Sequence, residues 1–256
     1  MHITSPQNQF VKHARQIKSG NIDNKFILEG EKWIKEANAL NIKVQYFIMS
    51  VDFAKNGGTC PKSAPAYIVD NSVYQSLTST KTPIGILCVC EKTTYTLKDI
   101  TLPPTPFVLM LDSISDPGNM GTIIRSAVAF GCELIICSVN CVSIYNDKVL
   151  RSTAGAIFKI PIVENVNLAN DAVTFLNNHN IQIIGATPHT DHTFYDINAS
   201  KPVCIVMGNE AHGIQKTLTK ACELLVKIPI VDIESLNVSV ACGIILQEVC
   251  RQRTNI

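Results

Sequence analysis

The strongest constraint on the fold is the alternation between residues 107 and 251, where short apolar runs give way repeatedly to stretches with helical spacing. Phe107-Val-Leu-Met-Leu-Asp112, Leu134–Cys137, Ile181–Ala186, Val203–Met207 and Leu225–Ile228 read as strands. Between and after them, Thr122–Phe130, Asn170–Asn178, Gln215–Ala221 and Val238–Arg251 carry apolar residues at helical intervals. The strand runs are mostly apolar rather than alternating, as expected of strands buried on both faces, and the pattern predicts a parallel sheet with helices on both sides.

Before this region the pattern is looser. A helical stretch at Gln7–Lys18 precedes a strand at Phe26-Ile-Leu-Glu-Gly30, a helix through Trp33 and Ala37, and short strands at Val44–Met49, Ala66–Val69 and Ile84–Cys90. This predicts a small α/β domain over residues 1–100. Pro103, Pro104 and Pro106 can neither continue a helix nor pair centrally in a sheet, so residues 101–106 read as a linker and 107–256 as the second domain.

The net charge of +1 hides an asymmetry: residues 1–100 carry 12 Lys and Arg against 8 Asp and Glu, residues 101–256 carry 10 against 13. A basic front domain can attract a polyanion, and its densest part holds Lys12, Arg15 and Lys18, the candidate polyanion-binding residues. An ordinary solvated helix face is the competing explanation.

No apolar run approaches the roughly 20 residues of a membrane helix, and the first residues lack a basic segment followed by an apolar one. A cytoplasmic protein with no membrane partner is expected. The ten cysteines lie mostly within apolar runs without metal-ligand spacing, so they read as buried reduced thiols and no metal is expected. Nucleotide-binding and hydrolase signatures of the G-x-G-x-x-G, G-x-x-x-x-G-K-[ST] and G-x-S-x-G types are absent.

Ligands of parallel α/β sheets bind where strands end, which directs attention to three polar loops. The first runs from Asp112 through Asp116-Pro-Gly-Asn119 into a helix bearing Arg125. The second is Met207-Gly208-Asn209-Glu210-Ala-His-Gly213, where glycine would let a ligand approach the backbone. The third is Ile228-Pro-Ile-Val-Asp-Ile-Glu-Ser235-Leu236-Asn237. Each also has a plain structural explanation: Asn119, Ser235 or Asn237 as helix caps, Glu210 solvated in a turn, Arg125 paired on the surface.

In this order the three loops resemble the motifs of the SpoU (TrmH-type) family of RNA ribose 2′-O-methyltransferases. The resemblance rests on Asp116-Pro-Gly-Asn-Met-Gly-Thr-Ile-Ile-Arg-Ser-Ala, Arg151-Ser-Thr-Ala-Gly-Ala, Gly208-Asn-Glu-Ala-His-Gly-Ile and Glu234-Ser-Leu-Asn-Val-Ser-Val-Ala. It covers residues 105–251. Phe26-Ile-Leu-Glu-Gly-Glu and Thr82-Pro-Ile-Gly-Ile-Leu are similar to the L30e-like RNA-binding domain found in front of many such enzymes. Ala211-His212 and Val231-Asp-Ile depart from the common pattern.

The resemblance implies a SPOUT-type α/β domain with a trefoil knot, a homodimer, and S-adenosylmethionine as cofactor. Thr187, Met207, Gly208, Asn209, Ile228 and Leu236 would hold that cofactor, and Asn119, Arg125, Glu210, Ser235 and Asn237 would form the catalytic set. Ribosomal RNA is the expected substrate. A tRNA 2′-O-methyltransferase, a non-catalytic RNA-binding member of the fold, and a Rossmann-like oxidoreductase are the alternatives.

Overall fold

The computed structural model describes residues 2–80 and 82–254. They fall into two compact units, divided between Thr93 and Thr94.

Unit one contains β1 (His2–Ile3), α1 (Gln9–Lys18), β2 (Lys25–Glu29), α2 (Glu31–Ala39), β3 (Val44–Ser50), α3 (Val51–Lys55), β4 (Ala66–Val69), α4 (Asn71–Gln75) and β5 (Ile86–Glu91). Its sheet has the order β1-β4-β3-β5-β2, parallel on one side and antiparallel around β5. Helix α1 begins behind Asn8, whose side chain accepts from Phe10 N, and buries Val11, Ala14 and Ile17 at helical spacing. These join Tyr46, Ile48, Leu87 and Val89 of the sheet in one core. The expected strand at Ile84 starts two residues later, because Gly85 at φ 99° turns the chain first.

Unit two contains β6 (Phe107–Leu111), α5 (Pro117–Ala129), β7 (Leu134–Ser138), α6 (Asp147–Ser152), β8 (Ile162–Val166), α7 (Val173–Asn178), β9 (Gln182–Ala186), β10 (Val203–Met207), α8 (Lys216–Thr219), β11 (Leu224–Val226) and α9 (Val238–Thr254). All pairings in the sheet are parallel, in the order β11-β9-β10-β6-β7-β8. On one face Val108, Met110, Ile136, Ile183 and Val206 pack with Leu176 of α7 and Leu218 of α8. Helices α5 and α9 pack against each other, and α9 also meets β10.

Helix α5 starts a turn earlier than the apolar spacing predicts. Asp116 is its N-cap, with Oδ1 accepting from Asn119 N at 2.8 Å, and Pro117 occupies the first helical position, where its missing N–H costs nothing. At the far end Gly131, at φ 79°, closes the helix as expected. The sequence pattern does not predict strand β8 or helix α6. Within β8 the polar pair Glu164-Asn165, with Asn165 at φ 60°, interrupts the apolar run before Val166, and α6 is only six residues long.

From β6 the chain proceeds to β7 and β8 on one side, whereas β9, β10 and β11 lie on the other. The strand order therefore switches between β6 and β10, the place where a parallel sheet opens a crevice at its carboxyl edge. The first polar loop leaves β6 and the second leaves β10.

Candidate active site

The first loop is anchored from beneath. Asp112, fully buried, accepts from Gln215 N and Gln215 Nε2, both at 2.8 Å, and from the Ser113 hydroxyl at 3.0 Å. A buried carboxylate needs such partners, and here they tie the end of β6 to the start of α8. Ser113 N donates to Ser138 Oγ at 2.8 Å, and Val142 N donates to Ile114 O, so the chain after β7 braces the same loop. From the sequence, Asp112 reads only as the end of a strand. A charged residue ending a wholly buried run was the available signal.

The second loop is a tight turn closed on itself. Asn209 N and Gly213 O lie 3.0 Å apart and Gly213 N and Asn209 O 2.9 Å, while Asn209 Oδ1 accepts from Ala211 N and His212 N. Asn209 Nδ2 donates to Ser113 O at 2.8 Å, joining the second loop to the first. A Cβ on Gly208 would lie 2.2 Å from the Gly213 carbonyl carbon and 2.3 Å from Ile214 N. Glycine is thus required there by the chain's own backbone, a different reason from the ligand approach expected from sequence.

The three loops converge on Asn119. Its Nδ2 donates to Glu210 Oε1 at 2.8 Å, and its Oδ1 accepts from Asn237 Nδ2 at 3.0 Å. Asn237 also caps α9, its Oδ1 accepting from Ser239 N at 2.9 Å and Ser239 Oγ at 2.7 Å. The capping explanation therefore holds for Asn237, alongside the bond to Asn119, and Asp116 is the residue that caps α5. Asn119 N, with Lys148 beyond it, holds the Asp116 carboxyl below the usual aspartate range.

A cavity of about 460 Å³ lies against the second and third loops. Thr187, Met207, Gly208, Asn209, Ile228 and Leu236 all line it, as do Glu210 and Ser235. Ile214, Leu225, Ile230 and Ile245 give it an apolar floor, and polar lining comes from the turn at Asn209–Gly213, from Thr187 and His189, and from Lys227 and Glu234. The size and the mixture suit a drug-sized or nucleoside-sized ligand. Asn119 and Asn237 sit behind Glu210 rather than in the lining.

Arg125 is exposed on α5 and, among the described residues, has no hydrogen-bond or ion-pair partner. Ser235 is likewise exposed and unpartnered among them. In unit one, Lys12, Arg15 and Lys18 share α1, but two of their heads are engaged. Arg15 donates to Pro6 O and Ser76 Oγ, and Lys18 Nζ donates to Thr78 O at 2.6 Å.

Among the described residues no helix is long and apolar enough to cross a membrane, and no group of three or more His, Cys, Asp or Glu could hold a metal ion. All ten cysteines are free thiols.

Residues 106–247 match the SpoU rRNA Methylase family, and residues 8–88 match the MRM3-like substrate binding domain. The chain is 29% identical over 248 residues to the 23S rRNA (guanosine(2553)-2′-O)-methyltransferase RlmP of Bacillus subtilis, covering 95% of this chain and 97% of the relative. It is 37% identical over 150 residues to the 23S rRNA (guanosine-2′-O-)-methyltransferase RlmB of Yersinia pestis, an alignment spanning 58% of this chain and 61% of that relative. The AdoMet-bound rRNA methyltransferase of Sinorhizobium meliloti superposes with a TM-score of 0.87 at 27% identity, over 99% of this chain and 98% of that one.

Proposed function

The chain belongs to the SpoU rRNA methylase family, and from that premise we propose that it transfers a methyl group from S-adenosylmethionine to a ribose 2′-hydroxyl of RNA, with ribosomal RNA as the substrate class. The observation that carries this reading is the junction of the three loops: Glu210, Asn119 and Asn237 are hydrogen-bonded in series beside a cavity of about 460 Å³. Relatives named as 23S rRNA 2′-O-methyltransferases, one of them matched along nearly its whole length, support ribosomal over transfer RNA.

The residues present fit the cofactor. The apolar floor of Ile214, Leu225, Ile230 and Ile245 suits an adenine ring, and Thr187, Met207, Gly208, Asn209, Ile228 and Leu236 would hold the rest. When bound, S-adenosylmethionine supplies an electrophilic sulfonium methyl. The chain's own task is to bring a ribose oxygen into line with that methyl and to favour loss of the hydroxyl proton, and positioning is a large part of such catalysis.

Asn119, fixed on both sides by Glu210 and Asn237, offers a rigid edge to the nucleotide, and Ser235 offers a free hydroxyl. Arg125 acts as a hydrogen-bond-donating cation and not as a base, because a guanidinium presents five N–H donors and no acceptor. Its fork holds an RNA phosphate and stabilises negative charge developing on the 2′-oxygen, while the proton passes to phosphate or water.

Residues 1–100 add RNA affinity through their positive charge. On α1, Lys12 is exposed with no partner among the described residues, so it is the cation of the three most available to phosphate. In this reading the enzyme is a cytoplasmic homodimer. Val231, Ile233 and Val240 are large apolar side chains left exposed in the third loop and on α9, which supports a second copy covering them.

Mapping 2′-O-methyl nucleotides in RNA from cells with and without the gene tests the reading. One ribosomal position should lose its methyl group when the gene is deleted. Loss at a transfer RNA position would move the substrate class, and an unchanged map would overturn the activity.

A further inference from the structure

We propose that Arg151, on α6, is a second phosphate-binding guanidinium on the acceptor side, gripping the RNA backbone next to the nucleotide that Arg125 addresses. The proposal deepens the methyltransferase reading and rests on it.

Gly121 of α5 has no room for a side chain: a Cβ there would lie 2.4 Å from Ser152 Cβ of α6 and 3.0 Å from the Val149 carbonyl oxygen. Contact this close makes the two helices one rigid piece. Their first turns are joined as well, Lys148 Nζ reaching Asp116 Oδ2, the N-cap of α5, at 3.5 Å. Arg125 stands one turn beyond Gly121, and Arg151 is the neighbour of Ser152. Both arginines are therefore carried by the same packed pair of helices, which leaves the carboxyl ends of the adjacent strands β6 and β7.

The use made of the unit's other arginines sharpens the contrast. Arg251 forms a fork on Glu248, with bonds of 2.7 and 2.8 Å. Arg253 donates to the carbonyls of Thr105, Pro106, Ala199 and Lys201. Those two serve the fold. Arg125 and Arg151 are exposed and, among the described residues, have neither an ion pair nor a hydrogen bond for the side chain. Residues 101–256 carry 13 acidic side chains, so neutralising partners were available to the sequence. An arginine fork left open on the helix packed against that of Arg125 matches a phosphodiester, which it can hold through two parallel hydrogen bonds. The RNA strand on either side of a target ribose supplies such groups.

The test uses the full chain and a short RNA containing the target nucleotide, with Arg151→Gln and Arg151→Lys compared with the wild type. The side chain is exposed, so both variants should fold, and calorimetry should give them wild-type affinity for S-adenosylmethionine. Arg151→Gln should bind the RNA about tenfold or more weakly, the scale of losing a charged hydrogen bond. Its log–log salt slope should fall by roughly 0.7, one phosphate contact. Arg151→Lys should keep the slope and recover only part of the affinity, because an ammonium lacks the fork.

Methylphosphonate scanning locates the contact. One neutral linkage near the target should weaken binding by the wild type and have no further effect on Arg151→Gln. Wild-type affinity and salt slope in Arg151→Gln, or a methylphosphonate penalty unchanged at every linkage, would overturn the proposal. A wild-type chain that binds no S-adenosylmethionine would overturn the underlying reading, and the proposal with it.

Discussion

Asn119 and Glu210, 91 positions apart in the chain, are joined by a 2.8 Å hydrogen bond from the asparagine amide to the carboxylate, and the other side of the same amide accepts from Asn237. One side chain thus links the loops that follow β6, β10 and β11. The three partners differ in what else they do, so substitutions should separate catalysis from stability. Asn119→Ala leaves Glu210 and Asn237 exposed to water, and its cost in stability should stay near or below about 1 kcal/mol. Asn237→Ala also removes the cap of α9 and should cost about 1 kcal/mol more. Methyl transfer should fall by about 10² or more in both. Urea denaturation beside single-turnover assays checks this, and equal stability losses with full activity would separate the triad from the chemistry.

Gly208→Ala should damage the cofactor cavity through the protein itself. The added methyl would meet Gly213 and Ile214 backbone atoms at 2.2–2.3 Å, so the turn must open. Overpacking of this kind costs roughly 1–3 kcal/mol. Thermal denaturation should show a lower midpoint and calorimetry a loss of S-adenosylmethionine affinity of about tenfold or more. A variant with unchanged midpoint and affinity would show that the turn is not rigid.

How much of this was legible in the sequence depends on the range of the interaction. Strand β6 was legible because Phe107–Leu111 is apolar throughout and every residue in it is buried. The start of α5 was misjudged because Pro117, Gly118 and Asn119 are turn residues by composition, and only the cap by Asp116 makes them helical. Arg15 and Lys18 read as free charge, yet their partners Ser76 and Thr78 lie about 60 residues away, beyond any local pattern. The family resemblance groups Asn119, Glu210 and Asn237 in one site but does not imply the hydrogen bonds that join them. Periodicity contains no information about side chains that meet across 91 and 118 positions.

The Asp116 cap gives a pH prediction with a definite sign. Its carboxyl is held below the usual range by Asn119 N first and Lys148 second. An acid whose folded pKa is depressed adds stability above its unfolded pKa, near 3.9, and loses it as the pH falls through the folded value. Wild-type stability to urea should therefore drop between about pH 5 and pH 3 by more than that of Asp116→Asn. Parallel curves for the two proteins would remove the cap from the acid response.

Arg125→Ala should leave S-adenosylmethionine affinity nearly intact, because Arg125 is absent from the cavity lining, while transfer at saturating RNA falls by about 10² or more. Arg125→Lys should restore little of it. Separate measurements of RNA affinity and single-turnover rate distinguish lost transition-state stabilisation from lost binding. Parental rates in the alanine variant would return Arg125 to the solvated surface.

The most direct test of the central claim is a single-turnover reaction of the purified chain with S-adenosylmethionine carrying a labelled methyl group and protein-free ribosomal RNA, followed by complete nuclease digestion and mass analysis of the nucleosides. The label should appear on ribose, as one 2′-O-methylated nucleoside at a defined position, and its rate of appearance should fall by about 10² or more with Arg125→Ala. Label recovered on a nucleobase, or no transfer by a chain that binds the cofactor, would contradict the claim.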